Sequence, residues 1–154
     1  MYNLIREQAL PADKATLWAF ISRPENLNKI TPDNLGFQIE TSLPAEMYNG
    51  LLIEYRVKLP ILGWQRWVTE IKHIRDGISF VDEMRFGPYA FWYHYHEIEE
   101  RGGQVVMHDR VSYKMPFGFL GRIVHAILVR GMLEEIFSFR EKEMEQLFGG
   151  KSTT

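Results

Sequence analysis

The segment FWYHYHEIEERGGQVVMHDRVSYKMPFG, residues 91–118, alternates apolar and polar side chains on both sides of a Gly-Gly pair. A period of two is typical of a β-strand with one buried face, and glycines between two such runs indicate a hairpin. If residues 100–103 form a four-residue connection, the pairing places His94 opposite Asp109. This segment therefore predicts two long antiparallel strands.

The two faces of this hairpin differ in charge. The less charged face carries Trp92, His94, His96, Ile98, Val105, Met107, Asp109, Val111 and Tyr113, whereas Glu97, Glu99, Arg110 and Lys114 are on the other. We therefore expect the first face to be buried. Each unpaired buried polar group would cost about 1–3 kcal/mol, which a pair between His94 and Asp109 would partly offset. In FVDEMRF, residues 80–86, Asp82 joins this polar group if its parity faces inward.

The composition indicates one ordinary domain. With 154 residues and no cysteine, the chain can bury a core without disulfides, and thiol catalysis is excluded. The net charge of −2 gives no reason to expect nucleic-acid binding. No signal-peptide pattern and no apolar run of about 20 residues occurs, so we expect a cytoplasmic protein without a transmembrane segment. We expect a single domain over 1–148 and a disordered tail over 149–154.

The order of elements predicts an α+β fold. Strand-like alternation occurs at 2–8, 35–42, 53–59, 64–74, 78–86, 91–100 and 104–115, so about seven strands are expected. Two short helices follow the first strand, and a helix of roughly 30 residues, about 45 Å long, follows Pro116. Consecutive antiparallel strands pair with their neighbours, and the long helix must cover the apolar face. We therefore expect a curved antiparallel sheet around the C-terminal helix. The strand register within 64–80 is left open.

Two further segments are unusually apolar. The last helix has apolar residues in nearly every direction, more than one sheet face can cover. It is either an ordinary buried helix or, through Ile127 and Leu128, one wall of a ligand cavity; a dimer contact is a further alternative. The connection KLPILGW, residues 58–64, is either a loop folded over the sheet or a mobile lid formed by Leu59, Ile61, Leu62 and Trp64.

Several short motifs carry a family resemblance. They are Gly87-Pro88, Trp92-x-His94-x-His96, Asp109-x-Val111-x-Tyr113, Pro116-x-Gly118 and Phe137-x-x-Arg140. In these motifs and in element order the chain resembles the START-related, helix-grip SRPBCC superfamily. More narrowly, it is similar to small bacterial polyketide-cyclase/dehydrase-like members, some described as cell-division inhibitors. The resemblance implies a seven-stranded sheet around the last helix and a cavity for lipids, sterols, quinones or polyketides. A polar residue, often Gln, is expected where this chain has Met84.

The leading hypothesis is binding of a hydrophobic small molecule, with transport or sequestration as its use. Its expected ligand contacts are Asp82, Met84, Trp92, His94, His96, Asp109, Val111, Tyr113, Ile127 and Leu128. One alternative is a cyclase/dehydrase-type enzyme in which His94 and Asp109 act as acid and base. Another is a protein–protein interaction module that uses residues 59–64 or the last helix, and a weak homodimer stays open.

A metal site is a further alternative. His94, His96 and Asp109 form a two-histidine, one-carboxylate pattern, with the two imidazoles roughly 6.5–7 Å apart along the strand. Such a pattern is short and common by chance, so the sequence assigns neither a metal nor another cofactor.

Overall fold

The computed structural model describes residues 1–60 and 62–149. Ile61, one of the four expected lid residues, and residues 150–154 of the expected tail lie outside this description. The strands are β1 (Tyr2–Leu10), β2 (Phe37–Ile39), β3 (Leu51–Leu59), β4 (Gly63–Arg75), β5 (Ser79–Phe86), β6 (Phe91–Arg101) and β7 (Gln104–Lys114). The helices are α1 (Lys14–Ile21), α2 (Gly118–Val124) and α3 (Arg130–Phe148), with 3₁₀ turns at Pro24–Ile30 and Asp33–Leu35. A π-helical segment, His125–Val129, joins α2 to α3.

The seven strands form one antiparallel sheet in the order β1-β7-β6-β5-β4-β3-β2. The sheet is curved and the C-terminal helix packs on it, so the expected α+β, helix-grip fold is confirmed. Leu133 and Phe137 of α3 are buried against Trp92 and Val111 of the sheet. Farther along, Met144 is fully buried beside Leu10, Leu17 and Ile98. None of the helices in the described residues is both long and apolar enough to span a membrane.

The register of the β6–β7 hairpin differs from the expected one by two residues. Arg101 pairs with Gln104, so the turn consists of Gly102 and Gly103 alone, with φ of 62° and 80°. A two-residue turn of this kind needs positive φ at both positions, which glycine adopts without a steric penalty. The expected four-residue connection is therefore wrong. Because the shift is two residues, every side chain stays on the expected face.

The correct pairs across this hairpin are direct consequences of the shorter turn. His96, not His94, lies opposite Asp109; His94 lies opposite Val111, and Trp92 lies opposite Tyr113.

In β4, whose register the sequence left open, Ile71 is buried and lies opposite Asp82 of β5. A bulge between Lys72 and Arg75 includes His73, which has a φ of 55°.

The π-helical segment decides which side of the C-terminal helix faces the sheet. His125 and Val129 are buried and lie four residues apart, so they share the inward face. Ile127 and Leu128 lie between them and are 72% and 38% exposed. Ile127 thus lies on the outer side of the helix, and Leu128 is half-buried. Neither residue lines a cleft that reaches His94 and His96, although Leu128 lines a separate apolar cleft with Leu59 and Met132. Their role as ligand contacts stays a prediction.

The two glycines of this helix have opposite environments, which gives a test of the packing. A Cβ on Gly121 would lie 1.9 Å from the carbonyl oxygen of Pro116, whereas a Cβ on Gly131 meets nothing within 4 Å. We expect Gly121→Ala to lower the free energy of unfolding by about 1–3 kcal/mol. Gly131→Ala should raise it by about 0.5–1 kcal/mol through helix propensity. Urea unfolding of both variants measures this, and equal effects of the two substitutions would contradict the packing described.

Candidate functional site

Three adjacent strands place four titratable side chains on the inward face of the sheet. Asp82 of β5 lies opposite His94 of β6, and His96 of β6 lies opposite Asp109 of β7. Each imidazole is thus paired across the sheet with one carboxylate, and the two pairs are neighbours along β6. We call them the His/Asp cluster. His94, His96 and Asp109 are buried, and the side chain of Asp82 is 23% exposed.

Each carboxylate of the cluster contacts both imidazoles. Asp109 Oδ1 lies 2.8 Å from His94 Nε2 and 2.9 Å from His96 Nδ1. On the other side of the rings, Asp82 Oδ2 lies 2.9 Å from His96 Nε2 and 3.4 Å from His94 Nδ1. The two rings are therefore held between two acids, with Asp109 at the buried side and Asp82 at the more open side. One donor atom from each of Asp82, His94 and His96 lies within 4.8 Å of the other two.

His96 carries a proton on both nitrogens in this arrangement. An ionised carboxylate only accepts hydrogen bonds, and each nitrogen of His96 faces one, so both nitrogens must donate. Burial lowers the pKa of His96, but the hydrogen bonds to Asp109 and Asp82 outweigh it and raise the pKa to about 9. Burial likewise raises the pKa of each carboxyl, yet the contacts with His94 and His96 hold both pKa values below their ordinary range. The cluster is a buried network of charges at neutral pH.

Aromatic side chains fix the two imidazoles. The His96 ring stacks on Phe80 with centroids 4.4 Å apart, and the His94 and His96 rings are 3.7 Å apart. Phe137 of α3 meets His94 edge-on at 5.7 Å. Packed rings lose little freedom when a ligand arrives, so their nitrogens stay oriented toward the acids.

Two clefts between the sheet and the helices reach the cluster. The main cleft, about 160 Å³, is lined by His94 and His96 together with Tyr55, Trp67, Trp92 and Phe137. The side cleft, about 50 Å³, reaches Asp109 and His96 past Phe80 and Met144. Asp82, His96 and Arg140 line both clefts. The charged network is therefore shared by two mostly apolar clefts, whose other polar lining residues include Arg23 in the side cleft and Lys58 in the main cleft.

Arg140 was missing from the sequence-based site. Its Nε is buried and has no hydrogen-bond partner among the described residues, and its guanidinium lies 4.9 Å from the centre of the Phe137 ring. The signal was present in the sequence, because Arg140 lies three residues after Phe137 and seven after Leu133, on the same helical face. Because Arg140 lines both clefts, its guanidinium is close enough to donate to a polar group of a ligand bound there.

The expected site residues on the sheet lie in two different places. Trp92 lines the main cleft, as do His94, His96 and Asp82. Val111 and Tyr113 belong to the core cluster around Trp92, with Met84 packed against it, and none of the three lines either cleft. The Tyr113 hydroxyl instead lies 2.8 Å from His125 Nε2. Burial within a strand face thus did not distinguish cleft walls from solid core.

The expected lid residues differ in their surroundings. Leu59, at the end of β3, lines the main cleft, whereas Leu62 is 61% exposed. Trp64, at the start of β4, is 44% exposed, and its ring lies against Gly36. A mobile lid over the cleft stays a prediction for the described part of this loop.

Comparisons with known proteins identify the fold. Neither a scan of protein-family models nor a search of curated protein sequences gives a match. Solved structures do match. A protein from Chromobacterium violaceum has a TM-score of 0.72 at 10% identity, over 98% of this chain and 100% of that one. A START superfamily protein from Mycobacterium smegmatis has a TM-score of 0.67 at 14% identity, over 96% and 99%.

A plant structure matches equally well. The major latex-like protein 151 of Panax ginseng has a TM-score of 0.68 at 13% identity, over 96% of this chain and 97% of that one. All these identities are low, so the matches concern the backbone rather than the site. The chain therefore has the helix-grip fold shared by START-like and major latex-like proteins.

Proposed function

We propose that this protein binds a hydrophobic small molecule in the main cleft, with a polar end of the ligand directed toward Arg140 and the His/Asp cluster. The observation that carries the proposal is an aromatic cleft lined by Arg140, whose buried Nε–H has no hydrogen-bond partner among the residues that the structure describes. Ligand sites are mostly apolar, with a few polar groups that fix orientation. The START-like fold supports this proposal, although a fold alone does not specify a ligand.

The size of the cleft limits what it encloses. An engineered apolar cavity of about 150 Å³ accepts one benzene molecule, and the main cleft is of similar volume, about 160 Å³. One ring or a short chain segment would therefore be enclosed, with the remainder of a larger ligand extending through the opening. Lipids, quinones and polyketides stay the proposed classes, and the cytoplasmic location inferred from sequence stays a prediction.

Native mass spectrometry of the protein before and after organic-solvent extraction tests this proposal. A co-purifying adduct that extraction removes, and whose mass matches a compound identified in the extract, would support it. Protein that stays ligand-free, and that also fails to bind uncharged aromatic probes, would contradict it.

The polar end of the cleft gives a separate prediction. We expect Arg140→Met to weaken binding of 1-anilinonaphthalene-8-sulfonate about tenfold, since a charge-assisted hydrogen bond is worth about 1.5–3 kcal/mol. Binding of the uncharged N-phenyl-1-naphthylamine should change little. Fluorescence titration measures both. Arg122→Met, at an exposed position of α2, is the control and should bind both probes as the wild type does. Equal loss of the two probes in Arg140→Met would contradict a polar role for Arg140.

A second candidate function is an enzyme of the cyclase/dehydrase type. His94 lines the main cleft and its Nε2 lies 2.8 Å from Asp109, a pairing that orients an imidazole for proton transfer. Under this reading His94→Ala abolishes turnover and spares affinity, whereas under simple binding it mainly weakens or reorients the ligand. The interaction module and the weak homodimer also stay predictions, and a mass that rises with protein concentration in the absence of ligand would favour them.

A further inference from the structure

We propose that Asp82, His94 and His96 bind one divalent transition-metal ion, and that Asp109 orients the two imidazoles from behind. This goes beyond the proposed function, because it needs no organic ligand. The donor atoms are Asp82 Oδ2, His94 Nδ1 and His96 Nε2. Asp82 Oδ2 lies 3.4 Å from the first nitrogen and 2.9 Å from the second. Ligands bonded to one metal at about 2.0–2.2 Å are about 3–3.4 Å apart. Both contacts of Asp82 are close to this spacing, and the two nitrogens lie within 4.8 Å of each other.

The position of Asp109 distinguishes this arrangement from an ordinary ion pair. Asp109 Oδ1 accepts from His94 Nε2 at 2.8 Å and from His96 Nδ1 at 2.9 Å. These hydrogen bonds assign a proton to the far nitrogen of each ring. The near nitrogens, both facing Asp82, can then offer lone pairs to a metal. Carboxylates that hold ligating histidines in this way are a regular feature of protein metal sites.

The charge of the His/Asp cluster and its accessibility from the main cleft both fit a divalent cation. Two carboxylates with two neutral imidazoles carry a charge of −2, which one divalent cation neutralises in a buried setting. Without a metal, His96 Nε2 donates its proton to Asp82, and a bound cation would displace that proton. The side chain of Asp82 is 23% exposed, and Asp82, His94 and His96 all line the main cleft, whereas Asp109 lines only the side cleft. An ion and a further ligand can approach from the main cleft.

The donor set indicates the class of metal. Imidazole nitrogen suits Zn²⁺, Fe²⁺, Co²⁺, Ni²⁺ and Cu²⁺, whereas Mg²⁺ and Ca²⁺ prefer oxygen alone. Three protein ligands leave at least one position open. Because Asp82 and His96 line both clefts, that position would face a molecule bound in the main cleft.

Titration of untagged, chelator-treated protein with Co²⁺ and Zn²⁺ tests the proposal. We expect saturable binding of one ion per chain, with a Co²⁺ absorption spectrum that shows protein ligands. Asp82→Asn, which keeps the shape of the side chain, should weaken Zn²⁺ binding at least tenfold in calorimetry. Asp109→Asn should weaken it about 10–100-fold, the usual effect of losing such an orienting group.

His108→Gln is the matched control, because His108 lies on β7 but contacts Glu7 and Glu99 on the outer side of the sheet. This variant should bind as the wild type does. If Asp82→Asn fails to fold, ring NMR of the wild type decides: Zn²⁺ must shift the His94 and His96 signals together. Absence of saturable binding up to millimolar metal, or shifts confined to other histidines, would overturn the proposal.

Discussion

Replacing Asp109 with leucine is expected to lower the free energy of unfolding by about 3–5 kcal/mol, because it leaves a buried imidazolium without one of its two acceptors. Asp109 accepts hydrogen bonds from both His94 and His96, and its side chain is only 4% exposed. Removal of one member of a buried charge network costs more than the network itself contributes to stability, since the remaining charge stays desolvated.

Urea unfolding at pH 6 measures this effect. The control is Glu7→Gln, which removes a carboxylate that contacts His108 and Arg101 at the surface, where its side chain is 50% exposed. Its effect should be much smaller, because water screens exposed pairs. A double variant, Asp109→Leu with His96→Leu, should recover part of the stability, since the unpaired charge disappears. If Asp109→Leu and Glu7→Gln had equal effects, the buried network described here would be wrong.

The second large effect is a loss of stability at alkaline pH. His96 has a pKa of about 9 in the folded protein, raised by its hydrogen bonds to Asp109 and Asp82 against the effect of burial. An unfolded histidine has a pKa of about 6.5. The resulting stabilisation is fully present below pH 6.5 and is lost as the pH rises through 9. Between these limits the free energy of unfolding should fall by about 3 kcal/mol.

Asp82 and Asp109 give a second pH dependence of stability, which acts at low pH. The pKa values of Asp82 and Asp109 are lowered in the folded protein, so their contribution is present above about pH 4 and is lost as the pH falls. The same contacts underlie both effects, so the contributions do not add. Metal-free protein should therefore be most stable between about pH 4 and 6.5.

Urea unfolding from pH 3 to pH 10 in the presence of a chelator measures this profile. The variant His96→Gln should lose most of the decline between pH 6.5 and 9, although it is less stable at pH 6. A wild-type profile that is flat over that interval, or an identical slope in the variant, would contradict a charged His96.

Sequence patterns were sufficient for the fold and for the buried face of the β6–β7 hairpin, because side-chain direction in a strand depends only on parity. The predicted hairpin register was wrong by two residues, but a shift of two leaves each side chain on the same face. The error itself arose because Gly-Gly is compatible both with a two-residue turn and with a longer connection. Direct partners such as His96 and Asp109 could therefore not be fixed, whereas their common face could.

The C-terminal helix was harder to interpret. Its apolar residues surround the helix axis, and the π-helical turn that selects the inward side leaves no clear signal in the sequence. The sequence therefore did not indicate that Ile127 is exposed. Whether a buried residue lines a cleft, as Trp92 does, or fills the core, as Val111 does, depends on how closely the helix approaches the sheet. Periodicity contains no information on that distance.

The most direct test of the account is whether the main cleft is the place where an apolar molecule binds. N-phenyl-1-naphthylamine should bind the wild type in a saturable one-to-one manner. Ile136→Phe adds bulk to the cleft wall and should weaken this binding at least tenfold, whereas Ile127→Phe, on the exposed side of the same helical region, should leave it unchanged. Absence of saturable binding to the wild type, or equal affinities in the two variants, would contradict the account.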